Sequence, residues 1–327
     1  MIISRTPFRI SFVGGGTDIP DFYEIHPGAV VSATIDQYMY ITTHRYFEPD
    51  QIRAKYAVTE TVRHPSEMRH PILREVLLAY GITGGLEISS LADIPGGTGM
   101  GSSSAFTVGL IHNLRHWLGL PVTKETLAAE ACEVEIGRLK EPIGRQDQYA
   151  AAYGGFNMFR FLPGHRVETQ PLSISPDIKA AFENHLLLFY TGISRSASAV
   201  LNEQKDSVAA SREKFASLVH MAALCEPFVQ ALQAGDFPEL GRLLHENWLR
   251  KRSLTQAISE VSLDAAYEAA RRAGAWGGKL LGAGGGGFFL FMCPPEAQAR
   301  VVSTLQHFRL ISFKFEVQGS CIIYDGR

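Results

Sequence analysis

One glycine- and serine-rich stretch, PGGTGMGSSSA at 95–105, constrains the fold more than any other part of this sequence. It contains four glycines and three serines, and neither lysine nor arginine. The strand-like run Leu86–Leu91 precedes it, and Phe106, Leu110 and Leu114 follow at the spacing of one helix face. A flexible linker would not lead directly into so periodic a helix. Because a helix N-terminus offers unpaired N–H groups and glycines permit close approach, this strand–loop–helix unit is predicted to bind a polyanion such as a nucleotide phosphate.

Two common phosphate-binding motifs are excluded by the residues present. The P-loop, G-x-x-x-x-G-K-[ST], does not occur in the chain. The dinucleotide-binding fingerprint G-x-G-x-x-G fails because Gly97-Thr98-Gly99 is followed at the required position by Ser102. The sequence therefore predicts a phosphate loop of another kind.

Two further glycine clusters lie far from this loop in the sequence. The segment 5–18, RTPFRISFVGGGTD, ends a predicted strand with three glycines and a carboxylate. The segment 279–290, KLLGAGGGGFFL, places five glycines ahead of an apolar strand. Either cluster alone could be a tight turn. Since each glycine costs conformational entropy on folding, three such clusters indicate a site assembled from distant segments.

Charge and composition limit the expected partners and compartment. The chain has 31 Lys and Arg residues against 33 Asp and Glu, so neither a nucleic acid nor an anionic membrane surface is expected as a partner. No run of about 18 apolar residues occurs, and the N-terminal residues lack the features of a signal peptide. The cysteines Cys132, Cys225, Cys293 and Cys321 are scattered, which argues against disulfides or a zinc site. A cytoplasmic protein is expected.

The order of the predicted elements indicates the α+β class with two domains. Strands are predicted over Phe8–Val13, Ala29–Ile35, Tyr38–Thr43, Leu86–Leu91, Phe156–Phe161, His185–Tyr190, Phe288–Met292 and Phe313–Tyr324. Helices are predicted from about Ser103 to Leu118 and over Lys124–Leu139, most of Ala197–Trp248 and Leu263–Ala273. The segment 162–177, rich in Pro, Ser and His, is the predicted boundary, giving an N-terminal domain 1–170 and a C-terminal domain 171–327.

The three glycine segments together resemble the GHMP kinases, a family that includes galactokinase, homoserine kinase and mevalonate kinase. Arg5–Asp18 is similar to the family's first motif, Pro95–Ser103 to its second, P-x-x-x-G-[LM]-x-S-S, and Gly282–Gly287 to its third. The resemblance implies two α+β domains with the active site in the cleft between them. It also implies transfer of the γ-phosphoryl group of ATP, with Mg²⁺, to a small-molecule hydroxyl or phosphate.

The resemblance also implies roles for individual residues. Asp147 would take or orient the proton of the acceptor hydroxyl, and Arg5 would be the cation near the transferred phosphoryl group or this aspartate. Ser103 and Glu135 would ligate Mg²⁺, which needs few protein oxygens beside those of phosphate. The alternatives are a helix cap for Asp147, a solvated helix charge for Glu135 and a surface position for Arg5. The residues implied to bind the ATP phosphates are Pro95, Gly96, Gly97, Thr98, Gly99, Met100, Gly101, Ser102 and Ser103.

The first motif resembles one branch of the family in particular. Where galactokinase has Glu-His, this chain has Gly15-Gly16, and its GGGTD and GRQDQYAAAYGG segments are most similar to kinases that phosphorylate an anomeric sugar hydroxyl, above all that of D-glycero-D-manno-heptose 7-phosphate. Two glycines leave space for a larger sugar, whose remote phosphate would need a cation. Unranked candidates for this cation are Arg45, Arg138, Lys140, Arg145 and Arg195. The residues predicted to bind the sugar are Gly14, Gly15, Gly16, Thr17, Asp18, Asp36, Gly284 and Gly285.

Other functions fit the same sequence. Another sugar kinase of the family, such as an L-fucokinase or a galactokinase, would differ in the sugar it accepts. A catalytically silent sugar or nucleotide sensor would not need to retain Ser103, Glu135 and Asp147 together. The first motif argues against a relative that decarboxylates mevalonate diphosphate. The favoured product, a heptose 1,7-bisphosphate, would serve the synthesis of nucleotide-activated heptose for surface polysaccharide.

Overall fold

The computed structural model describes residues 1–193 and 197–327, which form two β-sheets with packed helices. The strands are β1 (Ile2–Val13), β2 (Gly28–Arg45), β3 (Ile52–Lys55), β4 (Thr59–Val62), β5 (Leu86–Ala92), β6 (Phe156–Leu162), β7 (Arg166–Pro171), β8 (Leu186–Tyr190), β9 (Gly277–Leu280), β10 (Phe288–Met292), β11 (Arg309–Ile311), β12 (Phe315–Glu316) and β13 (Cys321–Asp325). The α-helices are α1 (Pro20–Tyr23), α2 (Pro71–Ala79), α3 (Ser102–Trp117), α4 (Lys124–Cys132), α5 (Gln146–Tyr153), α6 (Pro176–Asn184), α7 (Ala197–Ala209), α8 (Arg212–Ala223), α9 (Cys225–Ala234), α10 (Phe237–Arg252), α11 (Val261–Arg272) and α12 (Pro295–Thr304). A π-helical turn, Glu133–Arg138, continues α4, and 3-10 turns lie at Pro65–Glu67 and Gln256–Ile258.

The first sheet is built around β1 and β2. Its strands run in the order β13-β1-β2-β5-β3-β4, and β6, β7 and β12 extend it from β2. The sequence predicted two strands where the structure has the single 18-residue strand β2. The interruption is a bulge: Pro7 of β1 opposes Tyr38, but Phe8 opposes Ile35, so Asp36 and Gln37 are extra residues on β2.

The second sheet has four strands in the order β11-β8-β10-β9, each antiparallel to its neighbour. The sequences of β8 and β10, LLLFY and FFLFM, are almost wholly buried. Such unbroken apolar runs are typical of strands that are covered on both faces. Strand β10 has the predicted bounds, and β8 begins one residue after its predicted start.

The chain does not divide at residue 170 as simply as the sequence indicated. The predicted boundary, 162–177, contains strand β7, which pairs with β6 of the first sheet. After the second sheet the chain returns to the first, where β12 pairs with β2 and β13 pairs with β1. Residues 171–327 therefore contribute strands to both sheets, and no single cut in the sequence separates the two.

Helix α3 is held on β1 and β2 by small and polar residues. A Cβ at Gly109 would lie 2.8 Å from Thr6 Oγ1, so glycine is needed for the helix to approach β1 this closely. The Asn113 amide donates to the Ile41 carbonyl oxygen at 2.8 Å and accepts from the Thr43 hydroxyl at 2.5 Å. These contacts hold α3 against the sheet, and the glycine loop is joined directly to this helix.

Helices α8 and α9 form an apolar stretch, Arg212–Ala234, that could span a membrane by length and composition alone. In its most apolar window, 56% of the residues are buried inside the protein. Both helices pack against α10 and against β2. Packing in the core therefore accounts for their apolar character.

Candidate active site

The glycine loop lines a cavity of about 330 Å³ whose walls come from both halves of the chain. The loop joins β5 to α3, and Gly101, with a φ of +75°, is the residue directly before the helix. Thr98 is buried and donates to the Pro95 carbonyl oxygen at 2.8 Å, so its side chain holds the loop together. Of the residues predicted to bind ATP phosphates, the cavity is lined by Gly97, Gly99, Gly101, Ser102 and Ser103, and not by Pro95, Gly96, Thr98 and Met100.

The third glycine segment packs directly against this loop. A Cβ at Gly282 would lie 2.3 Å from the Cα of Gly99, and a Cβ at Gly287 would lie 2.1 Å from the Thr98 carbonyl oxygen. Both Gly282 and Gly287 have positive φ angles, +68° and +89°. The two segments therefore meet through their main chains, a contact that only glycine permits.

Five of the eight residues predicted to bind the sugar lie outside the cavity lining, and three of these, Gly284, Gly285 and Asp36, make contacts elsewhere. A Cβ at Gly284 would lie 2.7 Å from the Ile258 carbonyl oxygen, and the Gly285 N–H donates to that same oxygen at 2.8 Å. Asp36 lies in the β2 bulge and accepts from the Lys314 N–H at 2.7 Å. The turn and the bulge give these three residues contacts within the protein, and their role in sugar binding stays a prediction.

Ser103 and Glu135, the residues implied to ligate Mg²⁺, are in direct contact. The Ser103 hydroxyl donates to Glu135 Oε1 at 2.5 Å, and Oε2 accepts from the Ser104 hydroxyl at 2.8 Å and the Gln148 amide at 2.7 Å. Glu135 is buried in the π-helical turn, and this burial raises the pKa of its carboxyl group. A buried carboxylate beside a hydroxyl is a set of hard oxygen donors, which suits Mg²⁺.

Asp147 lines the cavity from the first turn of α5, and its ion-pair partner is Arg9. Arg9 Nε and Nη2 each donate to the Asp147 carboxylate at 2.8 Å, and Arg9 Nη1 donates to the Gly99 carbonyl oxygen at 2.6 Å. The Arg9 side chain is only 4% exposed. Two parallel charge-assisted hydrogen bonds fix the orientation of a carboxylate. Arg9 therefore joins the candidate catalytic aspartate to the glycine loop.

Arg5, the cation that the family resemblance implied near the transferred phosphoryl group or the aspartate, lies elsewhere on β1. Its guanidinium is 3.7 Å from the Glu316 carboxylate and 4.4 Å from the centre of the Tyr38 ring. Four residues of a strand span roughly 13 Å, so Arg5 cannot reach the place of Arg9. The missed signal was a cation inside the largely apolar run FRISFV, because a charged residue in a buried strand requires a partner.

Asp18, the last residue of GGGTD, is buried and lines the cavity. Its Oδ1 accepts from the Gly16 N–H and the Gln146 side chain, and its Oδ2 accepts from the Gln146 N–H, all at 3.1 Å. A Cβ at Gly144 would lie 1.9 Å from Asp18 Oδ2, so glycine is needed there. Burial raises the pKa of Asp18, and the nearby Asp147 carboxylate raises it further.

The remaining residues of the GGGTD turn divide into two groups. Gly15 and Gly16 line the cavity beside Asp18. Thr17 is buried and donates to the Gly14 carbonyl oxygen at 2.8 Å, and Gly14 has a φ of +86°. Gly14 and Thr17 therefore support the turn from behind, outside the cavity lining.

Two buried lysines that the sequence analysis did not select also line the cavity. Lys251, on α10, donates to the Gly282 carbonyl oxygen. Lys279, on β9, donates to two carbonyl oxygens of β1 at 2.7 and 3.1 Å. Burial lowers the pKa of Lys251 to about 8 and that of Lys279 well below its ordinary value, and the neighbouring charge of Arg9 acts in the same direction on both.

Among the residues that the structure describes, several buried polar atoms beside the GGGTD turn lack a hydrogen-bond partner. Gln204 on α7 is 1% exposed, and neither atom of its amide has a partner. Its Nε2 lies 3.0 Å from the position of a Cβ at Gly16. Ser11 Oγ and Gln146 Oε1 are likewise unpaired. Because buried polar atoms in proteins are nearly always hydrogen-bonded, these atoms are candidate partners for a bound ligand.

Five basic residues were candidates for binding a remote phosphate. The structure describes four of them, and these four do not line the cavity. Arg45, Arg138 and Lys140 are exposed, and Arg145 donates to a carbonyl oxygen at 3.0 Å. Arg195, the fifth candidate, lies outside the described residues. In the described part of the chain, the cations that line the cavity are Arg9, Lys251 and Lys279.

Comparison with known proteins establishes the family. Residues 68–155 match the GHMP kinases N terminal domain, and residues 228–308 match the GHMP kinases C terminal domain. The chain is 30% identical over 319 residues to D-glycero-alpha-D-manno-heptose 7-phosphate kinase of Campylobacter jejuni, with 93% of either protein covered. The chain belongs to the GHMP kinase family.

This GHMP kinase also resembles sugar kinases in structure. It matches the crystal structure of a D-glycero-D-manno-heptose 1-phosphate kinase from Bacteroides thetaiotaomicron with a TM-score of 0.81 and 25% identity, covering 99% of this chain and 100% of that one. L-fucokinase/L-fucose-1-P guanylyltransferase of Bacteroides fragilis is 26% identical over 349 residues, which is 92% of this chain and 35% of that longer protein. The GHMP kinase is thus a phosphotransferase that acts on a sugar hydroxyl, and its family uses ATP. The predictions of family, α+β kinase fold and enzyme class are confirmed.

Proposed function

We propose that this GHMP kinase transfers the γ-phosphoryl group of ATP to the anomeric hydroxyl of D-glycero-D-manno-heptose 7-phosphate. The observation that carries the proposal is the position of Asp147, which Arg9 holds in the wall of a cavity shared by the glycine loop and Asp18. A nucleotide bound at the loop and a sugar bound at Asp18 would meet beside this carboxylate.

The transfer step needs one base and several fixed donors. The anomeric oxygen attacks the γ-phosphorus, the bond to the β,γ-bridging oxygen breaks, and ADP leaves. The proton of the hydroxyl passes to a carboxylate oxygen of Asp147, which Arg9 keeps in place with two hydrogen bonds. The N–H groups at the start of α3 stabilise the phosphate oxygens. Positioning and charge stabilisation provide most of the catalysis in phosphoryl transfer, and this arrangement of residues would supply both.

Ser103 and Glu135 would hold Mg²⁺ together with phosphate oxygens. Among the described residues, no three His, Cys, Asp or Glu side chains form a metal site by themselves, so the nucleotide would have to complete the ligand shell. Ser104 and Gln148 hold the Glu135 carboxylate and thereby orient it. When bound, the ion supplies positive charge to the phosphate oxygens.

The sugar side of the cavity supports a heptose phosphate as the acceptor. Gly15 and Gly16 line the wall beside Asp18 without side chains of their own, and polar atoms of Ser11 and Gln204 that have no partner among the described residues are available to several hydroxyls. The names of the two heptose kinases above differ in the phosphate they specify, the 7-phosphate in one and the 1-phosphate in the other. A kinase that acts on the anomeric hydroxyl requires that C1 be free, which favours the 7-phosphate.

Since sugar phosphates and ATP are cytoplasmic metabolites, we assign the reaction to the cytoplasm.

A substrate panel tests the proposal. Release of ADP is measured with D-glycero-D-manno-heptose 7-phosphate, the corresponding 1-phosphate, free heptose, L-fucose and D-galactose, and the product is examined by phosphorus NMR for a phosphate on C1. The 7-phosphate is expected to give the highest kcat/KM and a 1,7-bisphosphate. If that sugar is ignored while fucose, galactose or the 1-phosphate is turned over, the assignment is wrong.

A further inference from the structure

One cation that lines the cavity lies outside the three glycine segments. Lys251, on α10, is 4% exposed, and its ammonium group donates to the Gly282 carbonyl oxygen. An ammonium group has three protons to donate. Within the described part of the chain, this carbonyl is the hydrogen-bond acceptor that the ammonium reaches. Two of its protons therefore remain for a ligand.

Lys251 and Arg9 lie on the two sides of the contact between the glycine segments. Arg9 Nη1 donates to the Gly99 carbonyl oxygen at 2.6 Å, Lys251 donates to that of Gly282, and these two glycines touch through their main chains. The charge of Arg9 opposes that of Lys251 and adds to the effect of burial in lowering the lysine pKa. Arg9 is already paired with the Asp147 carboxylate, but among the described residues the buried Lys251 ammonium group has only a carbonyl oxygen as its partner. A buried cation without a charged partner indicates an anionic ligand beside it.

We propose that the Lys251 ammonium group binds the phosphoryl group that is transferred, and so supplies the side-chain cation that the loop 95–105 lacks. The proposal rests on the proposed phosphoryl transfer. In that reaction the γ-phosphoryl group must lie between the glycine loop and Asp147, and Lys251 lines the same cavity as both. ADP lacks the γ-phosphoryl group, so this lysine would contribute to the binding of ATP and much less to the binding of ADP.

Nucleotide titrations without sugar test the proposal. Calorimetry measures the binding of ADP and of adenylyl imidodiphosphate, a non-hydrolysable ATP analogue, at neutral pH with Mg²⁺. Lys251→Met is expected to weaken the analogue roughly ten- to hundredfold and ADP less than about threefold, since one charge-assisted hydrogen bond is lost with the first ligand only. The matched control is Lys124→Met, which removes an exposed lysine at the start of α4 and is expected to change neither affinity.

Two results would overturn the proposal. An equal loss for both nucleotides would show that Lys251 only supports the Gly282 turn, and unchanged affinities would show that it contacts no phosphate. If Lys251→Met does not fold, the same titrations are made with Lys251→Gln, which keeps a donor for the Gly282 carbonyl but removes the charge. Because no sugar is present, failure of the heptose panel leaves these outcomes unaffected.

Discussion

Gly99 and Gly282 touch through their main chains: a Cβ on Gly282 would lie 2.3 Å from the Cα of Gly99, and a Cβ on Gly99 would lie 2.5 Å from the Leu281 carbonyl oxygen. The two glycines belong to different motifs and to opposite halves of the chain. Both have positive φ angles, +81° and +68°. Each position therefore requires glycine for its backbone conformation and again for space. Contact between the segments, as well as contact with phosphate, explains why both are rich in glycine.

Gly282→Ala is expected to destabilise the fold and to impair ATP binding. The added methyl group meets backbone atoms of the glycine loop, which cannot rotate away as the end of a side chain could. Strain at positive φ and displacement of the loop together are expected to cost about 2–4 kcal/mol of unfolding free energy. Urea unfolding measures this cost, and the KM for ATP measures the displacement of the loop.

The control for this variant is Gly81→Ala. Gly81 also has a positive φ, +64°, but a Cβ there has no atom within 4 Å. Only the backbone strain applies, so a loss of about 1–2 kcal/mol and an unchanged KM for ATP are expected. Equal losses of stability in the two variants would contradict the role given to close packing at Gly282.

Asp147→Asn is expected to remove most turnover and to leave nucleotide binding in place. Asparagine has nearly the same shape and keeps an oxygen for Arg9, but it cannot accept the hydroxyl proton. The loss of a general base lowers kcat by roughly 10²- to 10⁴-fold. Steady-state kinetics and ATP titration measure the two properties separately. A kcat close to that of the wild type would remove Asp147 from the transfer step.

Arg9→Gln and Arg5→Gln distinguish the two arginines of β1. Arg9 makes both hydrogen bonds to Asp147, so its removal is expected to lower kcat/KM by roughly a hundredfold. The Arg5 side chain is 28% exposed in its pair with Glu316, and such pairs contribute less than about 1 kcal/mol, so Arg5→Gln should leave kcat nearly unchanged. A larger loss of kcat/KM in Arg5→Gln than in Arg9→Gln would support the catalytic role that the sequence suggested for Arg5.

Gln204→Leu is expected to stabilise the free protein while weakening sugar binding. Its buried amide has no partner within residues 1–193 and 197–327, and replacing it with an apolar group removes a desolvation cost of about 1–3 kcal/mol. The KM for the sugar should rise about tenfold or more, because a hydroxyl then loses its partner, while the KM for ATP stays constant. Thermal unfolding and kinetics of Gln204→Leu are compared with those of Gln233→Leu, an exposed change on α9. A variant of lower stability with an unchanged sugar KM would contradict this role.

Because the pKa of Lys251 is lowered, we expect high pH to have opposite effects on the unfolding free energy and on activity. Burial and then Arg9 lower its pKa from 10.5 to about 8, against the opposing charges of Asp18 and Asp147, and Lys279 faces the same cavity. Between about pH 8 and 10.5 the unfolded chain binds more protons at this lysine, so its contribution makes the unfolding free energy rise with pH. Over the same range the loss of its charge should lower kcat/KM for ATP.

The pH profile of Lys251→Met isolates this group from the other titrating residues. Both the rise in unfolding free energy and the decline in kcat/KM above about pH 8 should be smaller in the variant, since kcat/KM reports groups of the free enzyme. Stability is measured by urea unfolding at each pH. An identical decline of kcat/KM in the variant and the wild type would assign it to another residue.

The parts of the site that lie within short motifs could be predicted from the sequence. Ser103, Glu135, Asp147 and Asp18 were named as site residues because their segments resemble motifs of the family, and all four line the one cavity. Strand β10 was predictable for a similar reason, since glycines and a proline bound a short apolar run.

Residues that reach the site through tertiary packing could not be predicted in this way. Lys251 stands between Arg250 and Arg252, and only the rotation of α10 about its axis decides which of the three cations is buried. Gln204 likewise has no local signal, because its unpaired amide is apparent only once α7 packs beside Gly16. The return of β12 and β13 to the first sheet depends on pairing with strands about three hundred positions earlier in the chain.

The contact at Gly99 bears on how such an enzyme can evolve. One wall of the cavity is glycine main chain, and the other is made of side chains such as Asp18, Gln146 and Gln204. Main-chain groups keep the same donors and acceptors whatever the neighbouring sequence, but at these glycines they tolerate no added methyl group. Side chains can be exchanged one at a time. On the proposed function, a new acceptor sugar can therefore be acquired by single mutations on one wall, while the machinery for ATP on the other wall is inherited unchanged.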